Sequence, residues 1–190
     1  MLFRSDRIHL GRKVSNIGQL YAELGHVDHA MGFLRRALDV FEAAAMGRVD
    51  LLESLLPVDR APEPFAGDGF TPLHLAAYFR RLEVARWLLE KGADPNCAAE
   101  NPSHVRPLHS AVAANADAMV DLLLSFRADP DVRQAGGWTP LQAACHRGAP
   151  AIARRLLAAG ADPSLRADDG RDARALLPRD SDPAAFGLGP

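Results

Sequence analysis

The chain has 190 residues and a formal net charge of −2, and 48% of its residues are hydrophobic and 24% charged. This composition is ordinary for one globular domain with a flanking element. The near-neutral charge gives no reason to expect a nucleic acid or an anionic membrane as a partner. Two cysteines, no apolar run of membrane-spanning length and an N-terminus that reaches charged residues too early for a signal peptide favour a cytoplasmic location.

The first segment, residues 1–38, predicts a pair of antiparallel helices. Its spacing of small and large residues resembles one tetratricopeptide unit, at Ile17-Gly18, Tyr21, Gly25, Ala30, Leu34 and Ala37. One such unit lacks the peptide-binding groove that several units build together. We therefore expect this segment to cap the array that follows, because repeat arrays need covered ends. Its excess of basic residues leaves open that it steers the protein to an acidic partner.

Two phrases then recur in fixed register. Thr71-Pro-Leu-His-Leu-Ala-Ala returns in related form at Arg106 and Thr139, at intervals of 35 and 33 residues. After each comes a Leu-rich stretch and a second phrase with Ala-Asp-Pro, which begins at Gly92, Arg127 and Gly160. Thr followed by Pro predicts a helix start. The Leu-rich stretch predicts a second helix, and Ala-Asp-Pro predicts a turn into an extended hairpin.

This pattern resembles the ankyrin repeat over residues 39–177. The resemblance implies an all-α solenoid with short β-hairpin loops, in which helix-turn-helix-hairpin units stack into a curved, right-angled array. Full repeats are expected at about 67–99, 100–134 and 135–167. An N-terminal capping repeat is expected at 39–66 and a partial C-terminal cap at 168–177, and the tail 178–190 is predicted to be disordered.

Two positions depart from the repeat pattern. Arg80 stands where the second repeat should have Gly, and a left-handed Arg costs roughly 1–2 kcal/mol. The loop 97–104 is two residues longer than its counterpart, which changes the tip of one hairpin at small cost.

Signatures of chemistry are absent from the sequence. It has no phosphate-binding Gly-rich loop, no nucleophile elbow and no metal-binding Cys or His spacing, so we expect no enzyme activity, no cofactor and no metal. The resemblance implies that His74 and His109 hydrogen-bond to neighbouring hairpin backbone. Cys145 takes the position of Ala77, which favours a buried and inert thiol.

The resemblance also implies that binding uses the hairpin tips and the outward side of the first helix of each unit. The corresponding positions precede the Thr-Pro-Leu-His phrase or follow the Ala pair, and they hold Phe70, Tyr78, Phe79, Val105, Trp138, His146, Arg147 and Arg171. Aromatic residues are only 6% of the chain, yet four fall here, and such residues dominate interface energetics. We expect these rings to face solvent as a patch rimmed by charge. In the alternative, Phe70 and Phe79 fold against neighbouring repeats as core.

These expectations favour a non-enzymatic protein-interaction module, which would act as an adaptor, inhibitor or regulator. Its partner would be an extended or helical segment of another protein, with neither nucleic acid nor membrane involved. The alternative is a structural, self-associating repeat unit whose aromatic residues meet those of a second copy in a homo-oligomer.

Overall fold

The computed structural model of the protein describes residues 40–55 and 69–189. The tetratricopeptide-like hairpin expected at 1–38 and the end of the N-terminal capping repeat lie outside the described residues. The helices are α1 (residues 40–46), α2 (Val49–Leu55), α3 (Pro72–Tyr78), α4 (Leu82–Glu90), α5 (Pro107–Ala113), α6 (Asp117–Ser125), α7 (Pro140–His146) and α8 (Pro150–Ala158).

The helices form stacked pairs. We call the first helix of each pair the inner helix (α1, α3, α5, α7) and the second the outer helix (α2, α4, α6, α8). Within the stack, α3 packs on α5 and α5 on α7, while each outer helix packs on the next from α2 to α8. This arrangement confirms the predicted all-α solenoid.

Of the inner helices α3, α5 and α7, two begin as the Thr-Pro pattern predicts and one does not. The hydroxyl oxygens of Thr71 and Thr139 accept from the backbone N–H three residues later, and Pro follows each of them. Arg106 stands at the same position of α5 and makes no side-chain cap. The helix α5 therefore lacks a bond that its neighbours have.

Left-handed residues end the inner helices. The φ values are 58° at Arg80, 52° at Asn115 and 68° at Gly148, as expected from the repeat. Each of α3, α5 and α7 contributes a buried Leu and buried small residues to the core, and the outer helices contribute mostly larger aliphatic side chains. Ala76, Ala111 and Ala144 are fully buried, so that neighbouring inner helices approach closely.

The loops that follow α4, α6 and α8 are hairpin-shaped without being strands. One backbone hydrogen bond closes each of them, from Ala99 to Val105 (2.8 Å), from Gln134 to Trp138 (3.0 Å) and from Ala167 to Arg171 (2.9 Å). In residues 40–55 and 69–189 no strand forms, because one closing bond per loop is too few for a ladder. The expected β-hairpins are therefore present only as tight turns.

Neighbouring loops are also joined to each other. The N–H of Glu100 donates to the Gly69 carbonyl (2.7 Å), and the same contact recurs from Ala135 to Ser103 (2.9 Å) and from Asp168 to Gly136 (2.9 Å). The approach is close at the first contact, because a Cβ on Gly69 would lie 2.5 Å from the Glu100 carbonyl carbon. The loops therefore form a continuous edge along the stack.

The C-terminal segment differs from its prediction. Residues 178–190 were expected to be disordered, but in the structure Phe186 and Leu188 join the core with 4% and 6% of their surface exposed. The turn Arg174–Leu176 packs on α7, and the turn Pro183–Phe186 packs on α8. The polar composition predicted disorder, whereas Phe186 and Leu188, together with buried Ala173 and Leu176, cover the open end of the last repeat. The C-terminal cap thus extends beyond 177, to 189.

We predict that Phe186→Ala lowers the free energy of unfolding by about 3 kcal/mol, because it leaves a cavity against the last outer helix. Urea denaturation followed by circular dichroism measures this change. The matched control is Ala184→Ser, on the exposed side of the same turn, which should change stability by less than about 0.5 kcal/mol. Equal stability of wild type and Phe186→Ala would show that the tail is not a cap.

Candidate functional site

The eight predicted binding residues lie in two rows. Four of them precede the start of a unit or of the C-terminal cap, and the other four lie at the ends of the inner helices α3 and α7. Together with Ala113 and Ala114, which end the middle inner helix, we call them the inner face. One contact shows how its two rows are arranged. The rings of Trp138 and His146 meet edge-to-face, with centroids 5.3 Å apart at an angle of 85°. In this unit the residue before the helix cap Thr139 and the last residue of α7 therefore lie side by side.

At the N-terminal end of the inner face, exposure is uneven. Tyr78 is 53% exposed and contacts Phe79 edge-to-face, at 5.3 Å and 88°. Phe79 is only half-buried, as are Phe70, whose ring lies 5.6 Å from that of His74, and Trp138. The expectation that all four rings face solvent is thus confirmed in full for Tyr78 alone. The other three are partly covered because each packs against a neighbouring ring or helix.

At the C-terminal end, three side chains form a cluster. The Arg171 guanidinium lies 5.9 Å from the Trp138 ring centroid, and His146 covers the ring edge. Arg171 is held by Asp169, with Nη2 to Oδ2 at 2.6 Å. These hydrogen bonds raise the pKa of Arg171 and lower the pKa of Asp169 from their ordinary values. His146 and the neighbouring Arg147 are exposed.

The middle of the inner face is shallow. Val105 is half-buried, and the two residues that correspond to Tyr78–Phe79 and His146–Arg147 are Ala113 and Ala114. Two alanines between two pairs of large residues leave a depression between the ends of the face.

Sequence reasoning missed two residues of this region. Arg80 was noted only as a strained position, but its Nη2 donates to the Ala114 carbonyl of the next unit. Met46 is 62% exposed at the end of α1, and the 33-residue register that aligns α1 with α3 places it at the position of Phe79. That register was the signal that could have identified Met46. The Arg80 contact had no such signal, because it joins residues 34 positions apart.

The buried histidines connect consecutive units. Because a carbonyl oxygen only accepts, Nε2 of His74 donates to Val105 (2.8 Å) and Nε2 of His109 donates to Trp138 (3.0 Å). Nδ1 of His74 accepts from the Thr71 hydroxyl (2.8 Å). These bonds confirm the predicted structural role of both histidines.

Gln142 makes the corresponding hydrogen bonds in the unit formed by α7 and α8. Its side-chain amide donates to the Leu165 and Arg171 carbonyls at 2.8 and 3.1 Å, and its carbonyl oxygen accepts from the Thr139 N–H at 2.9 Å. In the middle unit Arg106 replaces Thr, and Nδ1 of His109 is buried without a partner. In all three units the position therefore uses a neutral side chain that donates to the next unit, and its acceptor is paired only where Thr begins the helix.

The ionisable groups of the core are held in their neutral forms. Burial lowers the pKa of His74 and of His109 to about 4. It raises the pKa of the Cys145 thiol to about 12, in agreement with the predicted inert thiol. Burial also raises the pKa of the half-buried Cys97. In the part of the chain that the structure describes, no three His, Cys, Asp or Glu side chains converge as metal ligands, and no helix is long and apolar enough to cross a bilayer.

We predict that the protein loses stability as the pH falls from about 6.5 to about 4. In this range the two histidines bind protons in the unfolded chain, whereas buried His74 and His109 stay neutral in the folded protein. The loss is on the order of 3 kcal/mol per histidine across the whole window. Urea denaturation at a series of pH values measures it. The control is the double variant His74→Gln, His109→Gln, which copies Gln142 and should flatten the dependence. Identical profiles for wild type and variant would contradict the assignment.

Comparison with known proteins identifies the repeats. A family model described as "Ankyrin repeat" matches residues 68–100, and a second, "Ankyrin repeats (many copies)", matches residues 108–157. Neither is a model of an enzyme family.

Several known proteins are similar in sequence to the repeat region of this chain. The chain is 41% identical to neurogenic locus notch homolog protein 4 of Homo sapiens over 124 residues, which are 64% of this chain and 6% of that protein. It is 39% identical to Homo sapiens ankyrin repeat and SOCS box protein 16 over 129 residues, 64% of this chain and 28% of that protein. To Homo sapiens protein phosphatase 1 regulatory subunit 27 it is 44% identical over 73 residues, 38% and 47% of the two chains. The chain thus spans less than half of each relative, and it contains ankyrin repeats whose described helices stack as an all-α solenoid.

Proposed function

We propose that this chain is a protein-interaction module that binds a segment of another protein on its inner face. The observation that supports the proposal is that the polar residues and the exposed residues of the inner helices have different contacts. The side chains of Thr71, His74 and Gln142 make hydrogen bonds that cap helices or join units. By contrast, Tyr78, His146 and Arg147 are exposed in one row. Bulky exposed side chains with no part in the stacking are what a binding surface requires.

The relatives support a role that depends on association. One of them is named as a regulatory subunit of protein phosphatase 1, and it shares 44% identity with this chain over 73 residues. By the same reasoning we propose that this chain acts as an adaptor, inhibitor or regulator in the cytoplasm and performs no reaction itself. The buried and neutral His74, His109 and Cys145 are consistent with that proposal, because none is placed to exchange protons with a substrate.

The residues proposed to contact the partner are the eight of the sequence prediction, in two groups. Tyr78, Trp138 and Arg147 are the residue types that most often supply large binding energies. The others complete the surface around them: Phe70, Phe79, Val105, His146 and Arg171.

A library of short random peptides tests this assignment. Peptides selected against the wild-type protein should bind Tyr78→Ala, Trp138→Ala at least about 30-fold more weakly, because each truncation removes a large ring from the inner face. Fluorescence anisotropy with labelled peptide measures the affinity, and thermal unfolding verifies that the variant is folded.

The matched control is Arg86→Ala, Glu90→Ala, which changes two exposed residues of the outer helix α4 and should leave the affinity unchanged. Equal losses in the two double variants, or a selection that enriches no peptide, would contradict the proposal. Sedimentation at increasing protein concentration distinguishes partner binding from self-association, since a homo-oligomer would grow in size with no peptide present.

A further inference from the structure

The depression in the middle of the inner face lies between two groups of aromatic side chains. Its floor is Ala113 and Ala114 of the middle unit. Tyr78 and Phe79 stand on one side, and Trp138 and His146 stand on the other. An occupant of this depression would therefore meet aromatic rings at both ends and small side chains between them.

One charge lies over the floor of the depression. The Arg80 side chain is exposed and crosses from its own unit to the Ala114 carbonyl, to which Nη2 donates. A guanidinium has five N–H donors, so this bond leaves donors for a ligand. The acidic residue Asp117 begins the outer helix α6, where its Oδ1 lies 4.0 Å from Nε of Arg155 on the next outer helix. The floor is thus marked by a positive charge.

The distance between the aromatic ends follows from helix packing. The inner helix α3 packs on α5, and α5 packs on α7. Packed helices lie about 8–10 Å apart, so Tyr78 and the Trp138–His146 pair are separated by about 16–20 Å. An extended chain covers that distance in about five to six residues. A helical ligand is about 10–12 Å wide with its side chains. The alanine floor is only as wide as one inner helix, about 8–10 Å, so an extended ligand fits it better.

Building on the proposed function, we propose that the inner face recognises an extended acidic segment with two bulky apolar side chains. These side chains are about six residues apart, and a carboxylate lies between them on the same face of the extended segment. The apolar side chains pack against Tyr78 at one end and against Trp138 and His146 at the other. The carboxylate crosses the alanine floor and pairs with Arg80. Arg–carboxylate pairs give both energy and directional specificity.

Three synthetic peptides and two variants test this pattern. The first peptide has Phe residues about six positions apart and a Glu between them, an even number of positions from each Phe, so that all three side chains lie on one face of the extended chain. The second replaces that Glu by Gln, and the third brings the Phe residues about four positions apart, which keeps both rings on that face but shortens the distance between them. The variants are Arg80→Gly, which removes the charge at a position where the φ of 58° favours Gly, and Ala113→Tyr, which fills the depression with the residue that α3 already has at the corresponding position, Tyr78.

We expect the Glu peptide to bind wild type about tenfold more tightly than the Gln peptide and than the closely spaced peptide. In Arg80→Gly the preference for Glu over Gln should disappear, whereas Ala113→Tyr should abolish binding of both. Isothermal titration calorimetry measures the affinities, and circular dichroism verifies that each variant is folded. High salt should weaken the Glu peptide more than the Gln peptide.

The outcomes separate this inference from the proposed function. The acidic, two-anchor pattern is wrong if the Glu and Gln peptides bind wild type equally, or if the preference survives in Arg80→Gly. It is also wrong if only peptides from the random library bind, and in each of these cases the inner face keeps its proposed function as long as library peptides bind there. If neither designed nor library peptides bind the inner face, both proposals fail.

Discussion

A buried polar side chain on each of α3, α5 and α7 holds the described units in register. The third residue of each of these helices donates to the carbonyl that precedes the next inner helix or, after α7, the C-terminal cap, and the acceptors are Val105, Trp138 and Arg171. All three acceptors also belong to the inner face. The hydrogen bond that joins two units therefore also fixes the backbone from which a proposed binding side chain projects, so that stability and the proposed recognition would depend on the same contact.

The middle unit, formed by α5 and α6, makes fewer of these polar contacts than its neighbours. Arg106 replaces the capping Thr, buried Nδ1 of His109 lacks a partner, and the loop 97–104 carries two extra residues. A buried acceptor without a partner costs on the order of 1–3 kcal/mol. The alanine floor of the inner face belongs to the same unit. The unit with the weakest internal polar contacts is therefore the one that the proposed ligand would cross, where a new partner would add most to local stability.

Much of this architecture could be predicted from the sequence, because it depends on contacts at fixed offsets. Thr71 as a cap, Asn115 as a left-handed helix end and His74 as a link between units follow from a repeat of about 33 residues. The rest depends on what lies beside a residue in space. The partial burial of Phe79 and Trp138 is set by neighbouring rings. The ordered tail depends on an uncovered end that only the stacked structure creates, since its composition alone predicts disorder.

The tautomer of the two buried histidines tests this account most directly. Nitrogen-15 NMR of the imidazole rings distinguishes a proton on Nε2 from one on Nδ1. The account predicts that at about pH 6 His74 and His109 are both neutral and carry the proton on Nε2, because Nε2 must donate to a carbonyl and burial disfavours the charged ring. A proton on Nδ1 alone, or a charged imidazolium at that pH, would contradict the proposed link between units and with it the placement of the inner face.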